Sequence, residues 1–301
     1  MKRSTVRVIA GAAFALLLVG LVPMAHAAGP AGMKLYAFSS GGLTVPRSLL
    51  ASGTGSQQVQ VPVGMFLVKH PKGTFVFDTG NNDRIINDPS YWGPFVKALN
   101  VVRTPDVAID NWLQKAGISA ADVTYVAVGH MHLDHGGNVC KFTNAIFFVQ
   151  KDEIRNAAWP DPGSAGPYIP GDVACLRSDI GQPLPNKHTM MMLDGDWDVF
   201  GDGSVVLKKF PGHTPGSQMA VVRLPRTGTV ILTSDNVYFA ENITKNLLPD
   251  VALAWSPNGI MAAYNYIRVM QASEGASFMT AHDLDGPAAK AMHSHEPQVF
   301  E

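Results

Sequence analysis

Basic charge is in short supply: Lys and Arg number 23 against 24 Asp and Glu, and charged residues make up only 16% of the 301. A surface with no basic surplus has little with which to neutralise phosphates, so a nucleic-acid partner is not expected. Long apolar runs are scarce too. The one that occurs, VIAGAAFALLLVGLV, is 15 residues long and stands behind the basic start MKRSTVR and ahead of MAHA. It is shorter than the ~20 residues a spanning helix needs. With small residues at Ala25 and Ala27 it reads as a secretory signal peptide over residues 1–27. That reading predicts a periplasmic or secreted chain over residues 28–301, with no stable membrane anchor. Without Lys2, Arg3 and Arg7 the mature chain carries 20 basic and 24 acidic side chains, a formal charge of −4.

Cysteine is limited to Cys140 and Cys175. Paired in an oxidising compartment, they would close a loop of about 36 residues and stabilise by roughly 3–4 kcal/mol. Two buried thiols are the other reading, and spacing does not choose between them. Fixed-period repeats and linker-like segments are missing as well. With 46% hydrophobic residues the chain can bury one large core, and the order of elements predicts a single α/β domain over 28–301.

That order is read from local pattern. KLYAFSSGGLTV, QVQVPVGMFLVKH and KGTFVF are strands, with PRSLLASGTGSQ a loop between the first two. TPDVAIDNWLQKAG reads as one helix, capped by Thr104, with Pro105 in its first turn and Gly117 at its end. VTYVAVGH is a buried strand, NAIFFVQ a strand and KDEIRNAA a helix; a proline- and glycine-rich loop follows. SVVLKKFPGH, QMAVVRL and GTVILTSD are three strands in meander spacing. SPNGIMAAYNYIRVMQAS is a helix with Ser256 as cap and Pro257 in its first turn, SFMTAHD a last strand, and KAMHSHEPQVFE a tail.

Against this background the run HMHLDH at 130–135 stands out. Ten histidines serve the whole chain, and three fall within these six positions. The period-two spacing of an extended segment aims His130, His132 and Asp134 to one side, and His135 then turns to a neighbouring point. Three more ligand-type residues also follow strands: His213 in PGHTPGS, Asp235 in LTSDNVY and His282 in TAHD. One tetrahedral ion cannot take seven such groups, but two ions sharing Asp235 can. Imidazole with carboxylate suits two divalent ions, zinc foremost, with iron, cobalt or manganese not excluded by ligand type. His70, His188, His293 and His295 lack such company and read as ordinary polar residues.

HMHLDH followed by GHTPGS, SD and AHD resembles the metallo-β-lactamase superfamily, from VFDTG to TAHD. The resemblance implies an αββα sandwich of two mixed sheets flanked by helices. It also implies His130, His132 and His213 on one ion, Asp134, His135 and His282 on the other, and Asp235 bridging. Asp78, in the early DTG turn, either supports the site from behind or merely caps its own turn; both readings stay open.

Two ions holding hydroxide are a device for hydrolysis. Asp235 stands where β-lactamases of this superfamily usually carry cysteine or serine, which counts against β-lactam substrates. Tyr238 follows Asp235 by three positions, an arrangement similar to that of the N-acyl-homoserine lactonases, the quorum-quenching enzymes. FPGHTPGSQ and NWLQKAGISAADVTYVAVGHMHLDHGGN are similar to that family as well. The resemblance implies lactone opening by a metal-bridging hydroxide, with Tyr238 and Asp134 as catalytic groups: an oxyanion donor and a proton carrier. An exported arylesterase or organophosphate hydrolase is the alternative, and a metal carrier the rival outside enzymology. The partner is then a small lactone or ester, and a homodimer is left open. Tyr91, Trp92, Phe95, Trp159, Tyr168 and Phe239 are candidates for an apolar groove around an acyl tail, with packing as the other reading.

Overall fold

The computed structural model describes residues 28–160, 167–176 and 189–301. The expected signal peptide, His188 and much of the proline-rich loop lie outside these residues. Among the described residues twelve strands form two sheets: β1 Lys34–Pro46, β2 Gln58–His70, β3 Gly73–Phe77, β4 Tyr125–Ala127, β5 Ile146–Gln150, β6 Thr189–Leu193, β7 Trp197–Asp198, β8 Val205–Lys209, β9 Gln218–Leu224, β10 Gly228–Leu232, β11 Ser277–Met279 and β12 Gln298–Phe300. The larger sheet runs β12-β1-β2-β3-β4-β5-β6 and the smaller β11-β10-β9-β8-β7. Both are mixed. β3 to β6 are parallel neighbours, as are β10 and β11, and the remaining pairs are antiparallel.

Strand alternation explains the layering. Leu35, Ala37, Phe66, Val68, Phe75, Phe77, Ala127 and Phe148 point from the larger sheet toward Leu207, Ala220, Val222, Val230 and Leu232 of the smaller one. The intervening residues Phe38, Met65, Leu67, Val76, Val126 and Phe147 face outward, onto Trp112, Leu113, Ile154 and Ala291 of three helices. On the other side Met219, Val221 and Ile231 meet Ile260, Ala263, Tyr264 and Ile267, which share one face of the helix Pro257–Glu274. Sheets covered on both faces need strands apolar on both faces, which is why these segments read as unbroken hydrophobic runs. Each fully buried side chain of this size contributes ~1.5–3 kcal/mol. The result is the αββα sandwich.

Several local expectations are corrected. The segment 104–117 is two pieces, a 3-10 turn Pro105–Val107 and a helix Ile109–Lys115, and Thr104 makes no side-chain cap. The helix is capped from a distance instead: both carboxylate oxygens of Asp83 accept the Ile109 N–H at 3.2 Å. The presumed tail instead begins inside the helix Pro287–Ser294 and carries β12, which pairs with β1. The loop after β1 holds a helical turn, Arg47–Leu50. Ser256 does cap its helix, accepting the Gly259 N–H at 3.1 Å.

Cys140 and Cys175 are joined by a disulfide, with 5.6 Å between their Cα atoms. It fastens the segment 167–176 beside the HMHLDH loop, where the Leu133 N–H also donates to the Pro167 carbonyl at 2.9 Å. Asp172 in this segment is 1% exposed. Its Oδ1 accepts from Asn82 Nδ2 at 2.7 Å and from the Tyr91 hydroxyl at 2.8 Å, while Oδ2 has no partner. Burial pushes this carboxyl from its ordinary 3.8 up to about 7, against the pull of its two donors. An acid that holds its proton longer in the folded chain contributes most below its unfolded pKa and loses that contribution as pH rises through its folded one. Stability should therefore fall between about pH 4 and about pH 7 through this group, and Asp172→Asn should flatten the slope. Denaturant midpoints across that range check it, and equal slopes in the two proteins would discount Asp172 as the source.

Candidate metal centre

Every candidate ligand lies just past the C-terminal end of a strand, so both sheets deliver side chains to one edge of the sandwich. His130 follows β4, His213 lies between β8 and β9, Asp235 follows β10 and His282 follows β11. Asp78 follows β3 with φ +59, a left-handed conformation that aspartate tolerates better than most residues. Ser234, just before Asp235, has φ +45. Gly129 makes room for that turn: a Cβ there would lie 2.2 Å from the Ser234 side chain.

The seven expected ligands converge in two groups. His213 Nε2 lies 3.1 Å from His130 Nε2 and 3.0 Å from His132 Nδ1. His135 Nε2 and His282 Nε2 are 3.3 Å apart. Donors at ~2.0–2.1 Å around a tetrahedral ion are separated by ~3.3 Å, so both spacings suit one ion each. Asp235 divides between them. Its Oδ1 is 3.0 Å from His135 Nε2 and 3.1 Å from His282 Nε2, and its Oδ2 is 3.5 Å from His213 and 3.9 Å from His130. Asp134 Oδ2 stands 3.7 Å from His135 and 3.6 Å from His282.

Hydrogen bonds behind the rings fix their orientation. His213 Nδ1–H donates to the Leu253 carbonyl at 2.7 Å, His282 Nδ1–H to the Pro62 carbonyl at 2.7 Å, and His135 Nδ1–H to Asp78 Oδ2 at 2.9 Å. Each turns its Nε2 inward, the nitrogen that a metal would take. Asp78 thus supports the site from behind, and its Oδ1 reaches past its own turn to accept the Gly129 N–H at 2.6 Å in the loop that carries His130.

Electrostatics favour cations here. Burial holds His130, His132 and His213 below the ordinary imidazole pKa, so all three are neutral donors. At His135 and His282 burial also acts downward, but the carboxylates of Asp235 and Asp134, joined at His135 by Asp78, outweigh it and hold both rings above their ordinary value. Among the described residues no lysine or arginine pairs with these carboxylates, and Asp235 Oδ1, buried, has only the two imidazoles of His135 and His282 beside it. The donor set and its spacing fit two divalent ions. His70 stacks on Phe200 and His295 pairs with Asp106, away from the cluster.

A cavity of about 270 Å³ opens onto the cluster, walled by Leu43, Val45, Leu49, Phe95 and Leu99, with the buried Tyr238 beside the ligands. A second, of about 340 Å³, shares His132 and His213 and is walled by Tyr168, Pro215 and Trp255. Of the aromatic groove candidates only Phe95 and Tyr168 reach these cavities. Trp159 lines a further cleft, Trp92 and Phe239 are core, and the Tyr91 hydroxyl is taken by Asp172. The aliphatic wall from β1 and the turn after it was missed, because Leu43 and Val45 read as ordinary strand and Leu49 as loop.

Comparison with known proteins agrees. Residues 60–268 match the sequence family described as the metallo-beta-lactamase superfamily. The N-acyl homoserine lactonase AttM of Azorhizobium caulinodans is 33% identical over 257 residues, covering 84% of this chain and 94% of the relative. The N-acyl homoserine lactonase AiiA of Bacillus thuringiensis subsp. kurstaki is 28% identical over 212 residues, covering 69% and 78%. The structure of an N-acyl homoserine lactone hydrolase with N-hexanoyl-L-homoserine at its catalytic metal centre superposes with a TM-score of 0.70 at 25% identity, covering 84% of this chain and 94% of that one.

Asp235→Ala removes the carboxylate that faces both halves. It is expected to leave the protein with at most one equivalent of transition metal where the natural chain is expected to hold two, as read by elemental analysis of folded samples. Retention of both equivalents would exclude a shared role for Asp235.

Proposed function

The chain belongs to the metallo-β-lactamase superfamily, and from that membership we propose that it is a two-metal hydrolase that opens the ring of N-acyl-homoserine lactones, a quorum-quenching activity. The carrying observation is the division of the Asp235 carboxylate between two ligand groups at the end of an apolar cavity. His130, His132 and His213 would hold one divalent ion, Asp134, His135 and His282 the other, and Asp235 both; zinc suits this donor set. Two such ions supply Lewis-acid polarisation of an ester carbonyl and a water acidified toward neutrality.

The chain's own residues do the rest. Leu43, Val45, Leu49, Phe95 and Leu99 form the apolar wall that would take the acyl tail. Burial and the charges of Asp235 and Asp134 hold the Tyr238 phenol well above its ordinary pKa, so it keeps its proton. Its oxygen lies 3.2 Å from His213 Nδ1, whose hydrogen is directed at Leu253, and its proton is held by the Asp235 carboxylate; with that carboxylate engaged by metal, the phenol would turn its proton to a carbonyl oxygen as charge develops there. A donor of this kind supplies ~2.7–4 kcal/mol. Water adds to the lactone carbonyl carbon, the ring C–O bond breaks, and Asp134, at the cavity floor, carries a proton to the departing ring oxygen. Export belongs to the same reading. It is supported by the character of residues 1–27 and by the Cys140–Cys175 bond, since such bonds persist in oxidising compartments.

Purified protein should open N-acyl-homoserine lactones, followed by acid release. Tyr238→Phe should lower kcat roughly 10- to 1000-fold with metal content unchanged. Turnover of a p-nitrophenyl ester or phosphotriester without any lactone opening would overturn the substrate assignment. An unaltered rate in the variant would remove Tyr238 from the chemistry.

A further inference from the structure

Glu153 lies in the helix Lys151–Ala158, directly after β5, in a segment whose polar sequence gives no hint of burial. It is nevertheless 1% exposed, and no lysine or arginine among the described residues pairs with it. Its partners are hydrogen-bond donors from three other segments. Oε1 accepts the Met131 N–H at 2.8 Å and the Tyr168 hydroxyl at 3.2 Å; Oε2 accepts the Thr214 hydroxyl at 2.5 Å. Met131 sits between His130 and His132, and Thr214 follows His213. The Tyr168 ring meets the edge of His132, with 4.7 Å between centroids. The His213 loop closes so tightly on this carboxylate's backbone that a Cβ at Gly216 would fall 2.3 Å from the Glu153 nitrogen.

One carboxylate therefore touches every segment that carries His130, His132 and His213. It makes no contact with Asp134, His135 or His282, of which His135 has its own anchor in Asp78. We infer that Glu153 is the positioning residue of the His130–His132–His213 half of the centre, setting the spacing of these three rings and countering the charge of the ion they hold, and that it governs affinity at this ion alone. The inference rests on the two-ion reading above. The physical reason is an imbalance: a carboxylate taken out of water with no cation beside it is costly, and a nearby divalent ion returns Coulomb energy that neutral donors cannot. A glutamine of the same shape keeps the volume, loses the charge and turns an N–H₂ toward at least one of these donors.

The holoprotein as isolated, with zinc, tests this by titration with a chelator, counting zinc released per equivalent. In Glu153→Gln one equivalent should leave at roughly 10- to 100-fold lower chelator activity than in the natural chain, while the other leaves within about threefold of its natural value. Anomalous diffraction at the zinc edge on partly stripped crystals should show the His130–His132–His213 position emptied first. If the variant does not fold, Thr214→Val and Tyr168→Phe each delete one donor and should produce the same asymmetry to a smaller degree. A natural chain that holds fewer than two zinc ions refutes the two-ion reading itself. Two ions in the natural chain with both loosened together, or neither, refutes the role of Glu153 alone.

Discussion

A single carboxylate, that of Asp235, presents one oxygen to each of two groups of imidazoles, and the surrounding architecture exists to hold it there. The cost of placing it is visible in the backbone. Ser234 is bent into the left-handed region to aim it, Gly129 gives up its side chain to make room, and Asp78 is bent in the same way to steady His135. Local strain of this sort persists only where neighbours over-determine the conformation. Here the neighbours are the two sheets, whose strands stop at one edge and release their loops toward a common point.

Much of this was legible from residue order. A histidine cluster behind a buried strand, with three more ligand-type residues behind later strands, is a pattern of spacing, and spacing survives in one dimension. The strands were legible because both faces are buried, which writes continuous apolar runs. What could not be read were effects of distance. β12 is three residues in a polar stretch and exists only because β1 offers it an edge. The helix before it buries Ala288, Ala289 and Ala291, too small to write a strong periodic signal. β6 follows a proline-rich stretch and has exposed methionines, so it lacked alternation. Asp83 caps a helix 26 residues away, and nothing local announces that.

The same limit explains the misplaced groove. Aromatic residues were sought near the metal motifs and in the proline-rich loop, because large side chains suggest ligand contact. Much of the wall that faces the cluster is aliphatic and comes from β1 and its following turn, more than eighty residues before the histidines in the chain. The disulfide was undecidable for the same reason: two cysteines 35 apart carry no distance until the loop between them is folded.

Ligands and cavity walls thus come from different parts of the molecule. The ligands stand on strand ends locked into the sandwich, whereas much of the wall comes from connecting segments around Leu49 and Phe95, neither of which supplies a metal ligand. Reactivity and selectivity are in this way modular. Segment exchange at those two places is a route to new substrates that starts from an intact reactive centre, and drift there leaves the ligands in place while the choice of molecule changes.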